Sequence, residues 1–144
     1  SRITKARKDN YVEGRLGLII DGTGSNYDKI TGQAKMLQGL GYDTYMIFVH
    51  TSIDTALERN VERGREGGRT LPKALTIQLW KEVQANMGKY SQFFKRNFVL
   101  VDNNDTDDDI FDDVFKQVRS LLRIKVSNTR AKNWMAMELA KRKR

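Results

Sequence analysis

The stretch TYMIFVHTSIDTALERNVERG, residues 44–64, decides the fold class. Residues 44–49 form a continuous apolar run with the length of a buried strand. The following residues predict a helix that begins at Thr51, with Asp54 as its capping-box partner and Gly64 at its end. A strand that leads directly into a helix is part of a β-α-β unit, so this stretch predicts an α/β domain with a parallel sheet.

Two further apolar runs flank this unit, at residues 16–20 and 98–101, and each predicts another buried strand. Apolar residues at helical spacing predict helices over residues 27–40, after Pro72 and after Asp105. Strands that alternate with helices predict a three-layer α/β fold, in which helices cover both faces of a parallel sheet. Ligands of such sheets bind at the carboxyl ends of the strands, so the residues that follow each run are the candidates for chemistry.

The composition limits both the chemistry and the compartment. The 144 residues include no cysteine, which excludes disulfides, thiolate zinc sites and a cysteine nucleophile. They include a single histidine, His50. No apolar run in the sequence approaches the ~20 residues of a membrane-spanning helix, and no signal peptide is visible. We therefore expect a cytoplasmic protein without membrane contact.

The positive charge is confined to the C-terminal end. Residues 119–144 hold nine Lys or Arg against one acidic residue, Glu138, and so account for the whole net charge of +8. We therefore divide the chain into a domain over residues 1–123 and a basic tail over residues 124–144. The tail either stays solvated or contacts nucleic acid phosphates, and its Trp134 either docks a short helix or binds a ligand.

An acidic, glycine-rich turn follows the first predicted strand. Asp21-Gly22-Thr23-Gly24 places a carboxylate and a hydroxyl at the carboxyl end of that strand. An aspartate there can hold Mg²⁺ through water or orient an attacking hydroxyl, and the glycines allow close approach of a ligand. The alternative is a tight turn that only caps the next helix. A dinucleotide fingerprint is excluded, because position 27 is a tyrosine where that pattern needs a glycine.

Four arginines crowd into the end of the next helix and the loop after it. Guanidinium groups stabilise the charge that develops in phosphoryl transfer, and a glycine pair at residues 67–68 would let the loop close over phosphates. The alternative is a solvated charged face paired with neighbouring glutamates. The position of the cluster, between a strand-helix unit and the helix after Pro72, favours a phosphate-closing lid. The four are Arg59, Arg63, Arg65 and Arg69.

Several short motifs occur together in one order: Asp21-Gly-Thr, Leu57-Glu-Arg-Asn60, Arg63-Gly64 and Leu71-Pro72. In this order and spacing, over residues from about 11 to about 102, the chain resembles the kinase domains of polynucleotide kinase and of zeta-toxin-like proteins, phage-type members above all. The resemblance implies a P-loop NTPase-like fold. It also implies ATP-dependent transfer of phosphate to a hydroxyl of a nucleic acid end, a nucleotide or a small metabolite, with ATP and Mg²⁺ as cofactors.

The resemblance implies a role for each candidate side chain, and it assigns no metal ligand. Asp21 and Thr23 would lie in the acceptor site, Asp21 as a catalytic residue and Thr23 as a substrate-binding one. An extra glycine separates the two relative to polynucleotide kinase. The other four residues would act on the phosphates or the nucleotide: Arg63 and Arg69 as catalytic residues, and Arg65 and Asn103 as nucleotide-binding residues.

The glycine-rich phosphate loop of P-loop kinases does not occur in residues 1–144. In the family that loop and its strand precede every motif quoted above, so we expect a sheet that is incomplete at its N-terminus. The vacant position, between residues 16–20 and 44–49, would be filled by upstream residues, by a second copy of the chain, or by direct pairing of those two runs. The alternative function is a non-catalytic nucleic-acid-binding or structural protein on a degenerate kinase fold.

Overall fold

The computed structural model describes residues 2–104 and 108–142. None of the helices in these two ranges combines the length and the hydrophobicity that crossing a bilayer requires. A short 3₁₀ turn, Lys95–Asn97, joins the fourth helix to the second strand. The remaining elements, in chain order, are α1 (Arg2–Glu13), α2 (Tyr27–Leu40), β1 (Met46–His50), α3 (Ile53–Arg65), α4 (Lys73–Phe94), β2 (Phe98–Asp102), α5 (Asp108–Leu122) and α6 (Thr129–Arg142).

The two strands form a parallel pair, in which Met46 lies opposite Phe98 and His50 lies opposite Asp102. The predicted strands at residues 44–49 and 98–101 are therefore confirmed, and the helical connection between them gives the sheet α/β connectivity. The sheet of the described residues contains these two strands. The three-layer arrangement with helices on both faces stays a prediction. The start of the predicted helix at Asp105 lies outside the described residues.

The predicted strand at residues 16–20 is wrong. These residues form no strand, and Ile19 is 102% exposed. The Leu16 carbonyl accepts a hydrogen bond from the Tyr42 hydroxyl at 3.1 Å, where a strand would bond to a neighbouring strand. An apolar run becomes a strand only where another strand satisfies its backbone groups, and β1 pairs with β2 instead. Direct pairing of this run with β1 is therefore wrong as well.

The core lies between α4 and the sheet and is built mainly from aromatic rings. Tyr90 is 0% exposed, and its ring centroid lies 5.2 Å from that of Tyr27 and 6.2 Å from that of Phe48. Phe94 and Ala34 complete the buried cluster. Aromatic pairs of this kind add about 0.5–1.5 kcal/mol each beyond the burial of their area. The aromatic side chains of α4 thus pack against both α2 and β1.

Local capping explains where the helices begin. The Asn26 side chain accepts a hydrogen bond from the Lys29 amide at 2.9 Å at the start of α2. At the start of α3, the Ser52 hydroxyl accepts from the Thr55 amide at 3.1 Å. Ser52 is thus the N-cap, and the predicted capping box that begins at Thr51 is wrong. Two adjacent hydroxyl residues can each cap a helix, and the sequence alone does not say which one does.

The start of the basic tail is attached to the end of α2. The Ser127 amide and hydroxyl donate to the Asp43 carboxylate at 2.8 and 2.6 Å. The side chains of Asn128 and Arg130 donate to backbone carbonyls in the last turn of α2, each at 2.8 Å. The last carbonyls of a helix lack partners within the helix and favour positive charge, so these donors suit the position. α6 is therefore docked on the domain.

The Tyr90 hydroxyl donates to the Gly24 carbonyl at 3.0 Å, and this bond gives a test of the core. Tyr90→Phe keeps the ring and removes the donor. We expect the free energy of unfolding at neutral pH to fall by about 1 kcal/mol, measured by urea denaturation. Tyr11→Phe, at a ring that is 47% exposed, is the control and should change little.

The same substitution has a pH signature. Burial raises the pKa of Tyr90 above its ordinary value of 10.0, and Tyr27 adds to the shift. The folded state therefore favours the neutral phenol, so this contribution is present below pH about 10 and is lost as pH rises through the raised pKa. We expect Tyr90→Phe to lose less stability than the wild type in alkaline solution. An equal alkaline loss in both proteins would contradict this assignment.

Candidate active site

The acidic turn, residues 21–26, is held by the C-terminal half of α4. Tyr90 donates to the Gly24 carbonyl, and the Asn86 amide donates to the carbonyls of Ser25 at 2.7 Å and of Gly24 at 3.3 Å. Asn86 is only 7% exposed. Gly24 has a φ of 77°, which glycine adopts without strain. Because an unpaired buried amide is costly, these bonds fix the backbone of the turn.

Asn86 and Tyr90 are not among the site residues predicted from the sequence. A signal for Asn86 was present, because it lies on the face of α4 that also carries Val83 and Tyr90. A polar amide on an otherwise apolar helix face needs a specific partner in the folded protein. The sequence does not show that this partner is a turn about 60 positions earlier in the chain.

The two predicted acceptor-site residues lie on this anchored turn. Asp21 and Thr23 are exposed, and the Thr23 hydroxyl shares a 3.1 Å hydrogen bond with the Ser25 hydroxyl. The turn thus presents a carboxylate and two hydroxyls to solvent from a backbone that α4 holds in place. Such a carboxylate can accept a proton from a hydroxyl or hold Mg²⁺ through water.

The arginine segment, residues 63–69, covers the end of α3 and the loop after it. The Arg63 carbonyl accepts from the Gly68 amide at 2.8 Å, and a Cβ atom added at Gly68 would lie 2.7 Å from the Arg63 Cγ. Arg65 pairs with Glu62 at 3.2 Å, as the charged-face alternative predicts, and exposed pairs of this kind contribute about 0–1 kcal/mol. Arg63 and Arg69 are exposed, so their guanidinium groups are open to an anion.

Asn60 closes the loop that carries these arginines. Its Oδ1 accepts from the Leu71 amide at 3.0 Å, and its Nδ2 donates to the Leu71 carbonyl at 2.8 Å. This two-point contact imitates a backbone pair and fixes the chain just before α4. Asn60 belongs to one of the motifs quoted above, but its bond to Leu71 is not visible in the sequence.

Asn104 joins the carboxyl ends of the two strands. Its Oδ1 accepts from the Ser52 amide at 2.5 Å, and its Nδ2 donates to the Asp102 carboxylate at 2.5 Å. Asn103, the predicted nucleotide-binding residue, donates its backbone amide to the His50 carbonyl at 2.8 Å. The side chain that connects the two strand ends is therefore that of Asn104, one residue after the predicted one.

Helix α4 sets the spacing between the two halves of the predicted site. The arginine segment reaches α4 just after Leu71, Trp80 donates its indole N–H to the Thr51 carbonyl at 2.8 Å, and the acidic turn is held at Asn86 and Tyr90. At a rise of 1.5 Å per residue, the length of α4 between its first residue and those two anchors is roughly 20–25 Å.

Among residues 2–104 and 108–142, no hydrogen bond or ion pair joins Asp21 or Thr23 to the arginine segment. A shared crevice between them stays a prediction. Within the same two ranges, the His, Asp and Glu side chains form no group of three or more that could hold a metal ion.

The Asn60 contact yields a prediction about the arginine segment. Asn60→Ala removes both hydrogen bonds to Leu71, so we expect faster amide hydrogen exchange across residues 66–71 and a loss of about 1–3 kcal/mol in the free energy of unfolding. Asn133→Ala, at an exposed position on α6, is the matched control and should leave both quantities unchanged. Unchanged exchange in Asn60→Ala would show that this contact does not hold the loop.

The family described as Zeta toxin matches residues 1–114, a range that includes the acidic turn, the arginine segment and Asn104. No curated protein and no solved structure matches the chain significantly. The family match covers well over half of the sequence, and the family has a P-loop kinase-like fold. The chain therefore belongs to the zeta toxin family, a family of kinase-like phosphotransferases.

Proposed function

We propose that this chain supplies the acceptor side and the closing arginines of an ATP-dependent phosphotransferase, which acts on a hydroxyl of a nucleic acid end, a nucleotide or a small metabolite. One observation carries the proposal. The backbone of the acidic turn is fixed by the buried donors Asn86 and Tyr90, while the side chains of Asp21 and Thr23 remain exposed. A purely structural turn would not need buried anchors to hold two exposed polar side chains in place.

The proposal assigns a role to each predicted residue. Asp21 orients the attacking hydroxyl and takes its proton, and Thr23 hydrogen-bonds the acceptor. Arg63 and Arg69, which are both exposed, neutralise the oxygens of the transferring group. Arg65 and Asn103 contact the nucleotide. Bound ATP would supply the phosphoryl group, and Mg²⁺ would bind with it. Asp21 would be the carboxylate that holds this ion through water.

Closure of the arginine segment would bring the two halves of the site together. Gly67 has a φ of 77°, and a Cβ atom added at Gly64 would lie 2.8 Å from the Thr70 side chain, so the loop folds back tightly on α3. The segment is attached at its two ends, by α3 and by the Asn60–Leu71 contact. A loop attached in this way can swing over a bound phosphate and exclude water, as lids of phosphotransferases do.

The 144 residues alone should turn over ATP very slowly. Their sequence contains no glycine-rich phosphate loop, so the backbone amides and the lysine that cradle ATP phosphates are missing from it. The measurement is phosphate release and γ-phosphate transfer with ATP and Mg²⁺. Rapid turnover by this chain would contradict the prediction.

The test of the roles uses the protein at the full length that its gene encodes. We expect Arg63→Ala to lower kcat/KM for phosphate transfer by roughly a thousandfold, because a charge-neutralising arginine acts on the transition state. Asp21→Asn should lower kcat more than it raises KM. Arg7→Ala, at an exposed position on α1, is the control. Wild-type transfer by both site variants would instead favour a degenerate fold kept for structure or binding.

A further inference from the structure

A second candidate site lies where α6 meets the end of α2. It is a cavity of about 130 Å³, and none of its lining residues belongs to the candidate active site. A cavity of about 150 Å³ holds a molecule of the size of benzene, so this one has room for a single small ring. The lining residues are Arg15, Gly41, Tyr42, Ala131, Trp134 and Met135.

Arg15 is held rigidly in the wall of this cavity. Its guanidinium donates to the Leu40 carbonyl at 2.6 Å and lies 5.6 Å from the centroid of the Trp134 ring. Its backbone has a φ of 56°, the left-handed conformation that closes α1, where the Leu16 amide donates to the Tyr11 carbonyl at 2.9 Å.

Gly41 is the left-handed C-cap of α2 and lines the cavity. Its φ is 109°, and an added Cβ atom would lie 3.3 Å from the Arg15 Nη1 and 3.5 Å from the Ala131 amide nitrogen. Both a strained backbone and a close contact therefore resist any larger residue. The glycine lets α6 approach the end of α2 while the indole of Trp134 remains 42% exposed. A large ring that is half open to solvent beside a cavity is suited to stacking with another ring.

The chain from residue 119 to residue 142, which includes α6 at the wall of the cavity, carries unpaired positive charge. Arg130 donates a hydrogen bond to the Gly39 carbonyl, and Lys141 forms an ion pair with Glu138. Within the ranges that the structure describes, the other cations of residues 119–142 are exposed and form no ion pair, and one of them lies between two lining residues of α6. These cations are Arg119, Arg123, Lys125, Lys132 and Arg142.

We propose that this cavity and the cations of residues 119–142 form a binding site for single-stranded nucleic acid. A base ring enters the cavity and stacks on Trp134, and Lys132 with its neighbours contacts the phosphates. Proteins that bind single strands combine these two elements, a positive surface that follows the backbone and aromatic rings that stack with bases. Several separated cations suit a polymer of phosphates better than one mononucleotide. The site is separate from the proposed phosphotransfer and stands without it.

The ring contact is tested with the 144-residue chain and labelled oligothymidylate or oligouridylate. Trp134→Phe keeps an aromatic ring, whereas Trp134→Leu fills similar space without one, and thermal unfolding shows that both variants fold. We expect roughly tenfold weaker binding for Trp134→Leu than for Trp134→Phe, because stacking on one base is worth ≈ 1–3 kcal/mol. Equal affinities of the two variants would overturn the base contact.

The phosphate contact is tested by salt. We expect binding of the wild type to weaken steeply between about 50 and 200 mM salt, and Lys132→Gln to reduce the slope of log K against log salt by about 0.7. Lys81→Gln removes an equal charge from an exposed position on α4 and should leave the slope unchanged. A slope for Lys132→Gln equal to that of the wild type would overturn the role of this lysine.

Two other polyanions separate the alternatives. Inorganic polyphosphate has the charge without the rings, so it should bind more weakly than the oligonucleotides and be indifferent to Trp134→Leu. Vesicles of anionic phospholipid test whether the exposed apolar residues of α6 prefer a membrane surface. The proposal fails if polyphosphate binds as tightly as the oligonucleotides, if the vesicles bind and the oligonucleotides do not, or if no oligonucleotide binds.

Discussion

The hydrogen bonds that Asn86 and Tyr90 donate to the carbonyls of the acidic turn are the constraint on which the site depends. Residues 15–26 form neither helix nor strand, so the backbone groups there cannot be satisfied by a regular ladder. Side chains take over that function: Tyr42 donates to the Leu16 carbonyl, and α4 supplies the donors for Gly24 and Ser25. The turn that carries Asp21 therefore has a defined place although the predicted strand before it does not exist.

Helix α4 gives the two halves of the site different mechanical properties. The acidic turn is fixed by buried donors within the aromatic core, where Tyr90 also packs against Tyr27 and Phe48. The arginine segment is exposed and is attached at its ends. Phosphoryl transfer depends on placing the acceptor accurately and on neutralising charge when the phosphate is in place. In the proposed function, a fixed acceptor side and a closing arginine side would divide these two tasks.

The elements that local signals define could be predicted from the sequence, and those that depend on distant partners could not. The helix at residues 27–40 was predicted with its observed bounds, because its apolar spacing and the glycine after it are local features. The apolar run at residues 16–20 predicts a buried strand, but it does not identify the strand that would pair with it. Asp21 and the arginines are candidates by residue type, since carboxylates and guanidinium groups have a characteristic chemistry, whereas the roles of Thr23 and Asn103 are implied by the family resemblance. Their supports, Asn60, Asn86 and Asn104, are asparagines whose partners lie between 2 and 62 positions away. Nothing in the amide group itself identifies such a partner.

Helix α2 connects the two proposed sites. It begins at the acidic turn, where Asn26 caps it, and it ends at the carbonyls that receive Arg15, Asn128 and Arg130. Its 14 residues, at a rise of 1.5 Å each, separate the turn from the cavity beside Trp134 by about 20 Å. A few nucleotides of extended single strand span that distance. A strand with one base in the cavity and its end beside Asp21 would use both proposed sites, whereas a small metabolite would gain nothing from the cations of residues 119–142. The two proposals taken together therefore favour a nucleic acid end among the three classes of acceptor.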